Sequence, residues 1–513
     1  MREIFIYKPR KRSIFKTLAP FLILVLIALS VTAFIFTRPA SVFLTSNPPD
    51  CKITLEGFSP QIGKLTLSDL KAGTYRVEIR RKGFEPITEN IKLSPGEKFQ
   101  KHFSLKPKLL KFVLKTEPKE VNFFLHLSDN SVKKGKTPFQ SVLPAGKTKI
   151  KLSLSGYNPL EKEIFLDSPT NLKLYLDPEG QLLHLLQIIE CGPAPKGVSF
   201  TPDGKEIWVT LLGGPPSIEV YNPLNGKKLS EINLDRHGAV EITFSSDGSR
   251  AYASQMETAK VYEIDTKTRR VLRTFKTESA WSKVVELSKD EKTLFVSNWS
   301  GNDISEIDLE SGKLRRRLPT VKTPRGLYAT VDGRYLYVAG FGRGEIDLID
   351  LSNGKGKIIF NRGCAVRHLA GDERRGILFA SDLGKDCIWK VNLKTNKTEK
   401  FARTDRKPNT IDLSPDGKVL FVSCRGANNP KSYYLPGPEW GSVVVIDTTN
   451  GKMLDAIVGG NKCTALDVSP DGKFLVFSDF LDNRLRLYAI PSYEVLVKGG
   501  GGRAISHLRD LSK

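Results

Sequence analysis

One local pattern recurs along this chain and restricts its fold more than any other feature. Between Thr410 and Ser423 the residues read as strand, tight turn, strand. Ile411 and Leu413 alternate with polar neighbours at the two-residue period of a half-buried strand. Pro415-Asp416-Gly417 supplies the turn, because proline presets φ and glycine accepts the positive φ a hairpin needs. Val419 to Val422 is a short apolar run of the kind buried on both faces. A lone hairpin cannot cover its own apolar face, so it requires copies.

The copies are present. Thr201-Pro202-Asp203-Gly204 leads to Ile207-Trp208-Val209-Thr210, and Ser246-Asp247-Gly248 to Ala251-Tyr252-Ala253-Ser254. Ser288-Lys289-Asp290 leads to Leu294-Phe295-Val296-Ser297, and Val331-Asp332-Gly333 to Leu336-Tyr337-Val338-Ala339. A degenerate copy runs from Asp372 to Ala380, and a last one from Ser469 to Phe477. Aligned on the turn they return every 42 to 44 residues, the period of a four-stranded propeller blade. Each is followed by an alternating strand ending in Asp, as in Val261–Asp265, Ile304–Asp308, Ile346–Asp350 and Val443–Asp447. The expectation is an all-β fold with seven blades over residues 180–502.

These runs resemble the YVTN-type (YncE-like) seven-bladed β-propeller repeats of extracytoplasmic bacterial proteins. Leu336-Tyr337-Val338-Ala339, the Ser-Pro-Asp-Gly turns and the Ile-Asp third strands carry the likeness. The resemblance implies a fold, since such repeats serve many ligands. Leu182 to Ile189 precedes the first blade and matches an outer strand such as Lys228–Ile232. Either it or Val495-Leu496-Val497 completes the last blade and removes the free edge.

Ahead of the repeats the character changes twice. Residues 1–17 are a basic tail with Arg2, Lys8, Arg10, Lys11, Arg12 and Lys16 against Glu3. Residues 18–37 are apolar for long enough to cross a bilayer as a helix. Basic residues before the span predict a cytoplasmic N-terminus, with the rest on the far side. This favours an uncleaved signal anchor in a bacterial cytoplasmic membrane over a signal peptide cut after Val31-Thr32-Ala33.

Residues 41–106 and 107–178 read as short strands between Pro and Gly turns. Leu70-Lys71-Ala72-Gly73-Thr74 with Lys82-Gly83-Phe84 in the first returns as Leu143-Pro144-Ala145-Gly146-Lys147 with Ser155-Gly156-Tyr157 in the second. Both resemble PEGA domains, small β-sandwiches of bacterial envelope proteins, which implies a stiff two-domain stalk. Residues 503–513 are expected to be a tail.

Function is expected on one propeller face. The position seven before each turn is Lys196, Val240, Lys283, Arg325, Arg367, Asn409 and Thr464, at the start of the innermost strands. Four are basic and none acidic, so the channel mouth should be positive. Trp281, Trp299, Phe341, Arg343 and Arg425 join it from neighbouring loops, and a 13-residue insertion in blade six adds Tyr433, Tyr434 and Trp440. Those rings suit stacking on sugars or anchoring a protein. A plug that buries them is the alternative.

The net charge of +23 favours anionic surroundings or serves solubility alone. Six cysteines without CxxC are too few for a disulfide scaffold; Cys424 and Cys463 could meet in a disulfide, as could Cys364 and Cys387. The Asp-Gly carboxylates read as turn residues that bond their own backbone. No P-loop, GxSxG or HExxH is present, and no cofactor or metal is expected. The sequence therefore predicts a non-catalytic, membrane-anchored protein that binds an anionic envelope polymer or a protein partner. A lactonase-like propeller enzyme and a nucleic-acid-binding propeller are the alternatives. An extracytoplasmic position disfavours nucleic acid, and nothing fixes an oligomeric state.

Overall fold

Alternation of apolar and polar residues governs nearly every element of the computed structural model, which describes residues 15–501 and 503–513. The basic segment over residues 1–14 lies outside the described residues. The chain divides into two compact units, residues up to 153 with 159–174, and residues 154–158 with 175–513.

In the first unit, Phe15–Thr37 is one helix of 23 residues, about 34 Å at 1.5 Å per residue and sufficient for a bilayer core. Pro20–Thr37 carries no charged side chain. Thr32 Oγ1 donates to Ala28 O at 2.6 Å, so the helix satisfies its own hydroxyl, as an apolar surrounding requires.

Two β-sandwiches follow with identical strand order. The first sets Lys64–Leu70, Ala40–Asn47 and Lys98–Ser104 in one sheet, and Gln61–Ile62, Lys52–Leu55, Gly73–Arg80 and Ile87–Leu93 in the other. The second repeats this with Phe139–Pro144, Leu109–Glu117 and Thr170–Tyr175, against Val132–Lys136, Asn122–His126, Gly146–Ser153 and Leu160–Leu166. The duplication extends to a local device: Ser46 Oγ donates to Pro48 O at 2.9 Å, and Thr116 Oγ1 to Pro118 O at 2.7 Å. Lys108 N donates to Gly83 O and Ala145 N to Lys108 O, at 2.9 and 2.8 Å, joining the sandwiches through backbone. Gly83 is required there, because its φ is +84° and a Cβ would lie 2.8 Å from the backbone of Asp167.

The second unit holds seven four-stranded antiparallel sheets, here I to VII in chain order. Their first strands are Pro195–Phe200, Ile242–Phe244, Ser282–Leu287, Pro324–Ala329, Val366–Asp372, Pro408–Leu413 and Cys463–Val468. Each first strand packs against that of the next sheet, and the first strand of VII packs against that of I. Sheet VII takes its fourth strand from His184–Glu190, which pairs antiparallel with Arg484–Ala489. Of the two segments competing for that place, the upstream one holds it. Val495 to Val497 lies instead in the helix Tyr493–Lys498, which Ser492 caps.

The turn carboxylates behave as the sequence predicts. Asp203 Oδ1 accepts from Thr201 Oγ1 at 2.7 Å and from Lys205 N at 3.1 Å, with Gly204 at φ +70°. The same arrangement recurs at Asp247, Asp290, Asp332, Asp416 and Asp471.

A second recurring device links the sheets. The second strand presents Thr210, Ser254, Ser297, Ser381, Ser423 and Ser478 opposite the opening of the first. These hydroxyls accept an N–H from their own sheet, from Gly197, Glu241, Val284, His368, Thr410 and Ala465 respectively, at 2.8–3.2 Å. Five donate to the following sheet. Thr210 bonds Val240 O at 2.9 Å, Ser254 bonds Lys283 O, Ser381 bonds Asn409 O at 2.8 Å, and Ser423 bonds Thr464 O at 2.8 Å. Ser478 of sheet VII donates to Pro195 O of sheet I at 3.2 Å.

Replacing Ser478 by Ala leaves the Ala465 N–H and the Pro195 carbonyl without this partner in the interior. Chemical denaturation should show a loss of roughly 1–3 kcal/mol. Ser311→Ala, in an exposed turn, should change little. Equal stability of the two variants would show that the hydroxyl does not join VII to I.

Candidate anion-binding site

Six of the seven first strands open with the same break in their ladder. The register shifts between Pro195 and Gly197, Ser282 and Val285, Pro324 and Leu327, Val366 and His368, Pro408 and Ile411, and Cys463 and Leu466. Such a bulge puts two residues opposite one and re-aims a side chain. It falls at Lys196, Lys283, Arg325, Arg367, Asn409 and Thr464, the positions singled out by the sequence.

The loops on either side are clamped. Ala194, Trp281, Thr323, Lys407 and Lys462 have φ between 54° and 62° once Ala194 at 56° and Trp281 at 62° are included, a left-handed conformation that costs a residue with a Cβ about 1–2 kcal/mol. It turns each carbonyl to accept the N–H of Leu212, Trp299, Phe341, Arg425 and Phe480 respectively, at 2.9–3.1 Å. The side chains of this second set then stand beside the bulge residues.

Cations and rings therefore meet in pairs. Lys283 Nζ lies over Trp299, and Arg325 lies 5.1 Å from the same ring and 5.9 Å from Phe341. Trp299 contacts Trp281 and Phe341 edge-on, each at 5.9 Å. Lys196 lies 4.9 Å from the Phe480 ring centre. Each cation–π contact is worth about 0.5–2 kcal/mol when desolvated, which offsets part of the repulsion among the cations.

The insertion supplies the centre of a second group. Lys196, Arg425 and Lys462 stand 5.7, 5.3 and 4.5 Å from the ring centre of Tyr433. Lys196 Nζ donates to the Tyr433 hydroxyl at 3.3 Å. Burial alone would raise the phenol's pKa, and the fields of Lys196, Arg425 and Arg367 outweigh it, bringing it down to about 7. Burial and neighbouring cations also push Lys283 down to about 4, and Arg325 to about 10. Burial lowers Lys196 and Lys462 to about 8 each.

One acid faces these cations. Glu241, half-buried, has its pKa raised by burial and opposed by Arg367, Arg325, Lys196 and Lys283. The sequence alignment placed Val240 at this point of sheet II. The structure corrects it by one residue, because the Glu241 N–H bonds Ser254 Oγ and the strand begins only at Ile242. None of Lys196, Lys283, Arg325, Arg367 and Arg425 forms an ion pair with a described carboxylate. Arg367 Nε donates to Asn409 Oδ1, while Arg325 Nε and Arg425 Nε are buried without a partner.

Of the remaining expected residues, Trp281 is 47% and Tyr434 64% exposed, and Tyr434 contacts Tyr433 and Phe480. Arg343 is exposed and enters no ring contact or ion pair. Trp440 belongs elsewhere: its N–H donates to Leu511 O at 2.8 Å, and Lys513 Nζ lies 4.3 Å over its ring. The expected tail is thus a folded segment that pins the insertion. Its His507 is fully buried, with Nε2 2.9 Å from Asp405. The disulfides are corrected as well, since all six cysteines are free thiols. Cys424 and Cys463 are buried, Cys463 Sγ donates to Asp479 Oδ1 at 3.3 Å, and burial pushes both thiols' pKa values up. Phe480 and Lys462 were missed by the sequence reading, although Phe480 occupies in sheet VII the loop position of Trp299 and Phe341.

Residues 40–109 and 128–180 match the PEGA domain family. Antigen Lp49 of Leptospira interrogans serogroup Icterohaemorrhagiae serovar copenhageni is 33% identical over 354 residues, covering 66% of this chain and 77% of that protein. The chain belongs to the family of antigen Lp49. A chain titled hydrazine synthase of Kuenenia stuttgartiensis superposes with a TM-score of 0.50 at 17% identity, over 58% of this chain and 96% of its own, which is a likeness of fold alone. This member of the Lp49 family joins an apolar N-terminal helix, PEGA segments and a repeat-rich all-β unit.

Tyr433 should ionise near pH 7 in an ultraviolet absorbance titration, well below free tyrosine at about 10. Tyr433→Phe should remove that step alone; a wild-type curve without it would overturn the assigned field. Thiol titration without reductant should count six thiols after unfolding, with exposed Cys364 reacting first in the native protein.

Proposed function

We propose that this chain is a non-catalytic, membrane-anchored binding protein of the bacterial cell envelope, with its bulk on the extracytoplasmic side of the cytoplasmic membrane. Its seven sheets are the blades of a closed β-propeller of the YVTN type. Three observations support closure: the succession of first strands, the completion of sheet VII by His184–Glu190, and the Ser478 bond to Pro195. The propeller mouth binds an anionic envelope polymer or an acidic protein partner.

One observation carries this reading. Lys196, Lys283, Arg325, Arg367 and Arg425 gather around shared aromatic rings with Glu241 as the one acid facing them. Charges of one sign held by low-dielectric walls focus a field toward an incoming counter-charge. Against an enzymatic reading stand the carboxylates three residues further along the first strands. Glu286, Asp412 and Asp467 accept backbone N–H groups of Ala329, Val468 and Phe200 at 3.3, 2.9 and 2.6 Å, which gives them structural work. The surface-antigen title of the relative and the PEGA segments support an extracytoplasmic position.

Replacing Lys196, Lys283, Arg325 and Arg367 together by Ala should shift elution from an immobilised polyanion to clearly lower salt, while circular dichroism stays unchanged. Identical elution of the folded variant would remove the mouth as the binding surface.

A further inference from the structure

The mouth displays more unspent hydrogen-bonding capacity than any single carboxylate could use. Arg325 is only 6% exposed and its Nε is buried without a partner. Nothing accepts from its guanidinium among the described residues. Arg425 Nε is in the same state, and Arg367 spends only Nε, on Asn409. A buried donor left unmade costs about 1–3 kcal/mol, and more when charged, so these three guanidinium groups call for an occupant rich in acceptor oxygens. Guanidinium forks match tetrahedral phosphoryl oxygens in pairs.

Charge density narrows the class further. Lys196, Arg425 and Lys462 share one ring, and Lys283 and Arg325 share another. Glu241 is the acid that faces them. A uronate-type chain carries one charge per sugar and spreads its charges along its length. A diphosphoryl group concentrates several charges and many acceptor oxygens within one small volume. It is the occupant that meets the donors and the charge together.

Tyr433 shows where such a group would enter. Its hydroxyl accepts from Lys196 Nζ at 3.3 Å, and its ring is the surface on which three cations converge. It is carried by the insertion rather than by the sheet framework, so it can move without disturbing the bulges that aim the cations.

We propose that the group recognised in this mouth is a diphosphoryl anion, free or borne on a polymer, and that the Tyr433 hydroxyl occupies the place of one of its oxygens until the ligand displaces it. This rests on the anion-binding reading above and specifies its ligand.

The test is calorimetric titration of the full-length protein in detergent micelles with inorganic pyrophosphate, long-chain polyphosphate and polygalacturonate. Saturable pyrophosphate binding is expected, weakened about tenfold or more in Arg325→Gln and in Arg425→Gln, as for loss of a charge-assisted hydrogen bond. Tyr433→Phe should tighten it about threefold by freeing Lys196. That variant keeps every cation, so it stays informative should an arginine variant fail to fold. Preference for pyrophosphate assigns a small ligand, and preference for polyphosphate assigns a polymer-borne group. Binding of polygalacturonate through the same arginines without pyrophosphate binding would overturn the diphosphoryl assignment and leave the mouth standing. Binding of neither anion would overturn both. Weaker pyrophosphate binding in Tyr433→Phe would overturn the placeholder role.

Discussion

A hydroxyl recurring in six of the seven sheets is the interaction on which the second unit depends. It sits on the second strand, opposite the opening of the first, where an interior Ser or Thr has one hydrogen to donate and lone pairs to spare. Accepting from the bulge N–H of its own sheet stabilises an irregularity that would otherwise leave a buried donor unmade. Donating to the carbonyl of the next sheet then sets the spacing between neighbours. Both halves are needed. The first fixes which residue is re-aimed, and the second fixes how near it comes to the equivalent residue next door. Sheet IV, with Ala339 at this position, does without, and its neighbours make up the difference by apolar packing around Val338 and Leu369.

From that framework the electrostatics of the site follow. The re-aimed residues are cations in four sheets, and the framework gives them no choice of direction. Water would disperse their repulsion; burial does not. The aromatic residues held by the left-handed turns reduce the cost, since a π face is negative without carrying a charge. Tyr433 does the same and adds a phenol that the surrounding field makes acidic. The result is a site whose cations are organised in advance and only partly neutralised, the condition under which a bound anion gains most from preorganisation.

Much of this was legible in the sequence, and for identifiable reasons. The Asp-Gly turns announced themselves because φ and side-chain capping are local. The period of the repeats announced four strands per sheet. The bulge position could be counted back from the turn wherever the spacing held, which located Lys196, Lys283, Arg325 and Arg367. It failed in sheet II, where Glu241 rather than Val240 faces the cations, because the strand is short and its opening is set by a hydrogen bond to Ser254. Trp440 was misplaced for a related reason: its environment is made by Leu511 and Lys513, some 70 residues away in the chain, which no local pattern announces.

The sequence by itself determined the repeat, the turns, the duplicated sandwiches, the apolar helix and the sign of the charge at the site, since each is written in residues close together along the chain. Only the tertiary structure decided which distant segment completes the last sheet, that the C-terminal residues clasp the insertion, that the cysteines stay unpaired, and that Tyr433 rests on three cations. These outcomes depend on which surfaces meet once the backbone's hydrogen bonds are satisfied, and that is a property of three-dimensional packing.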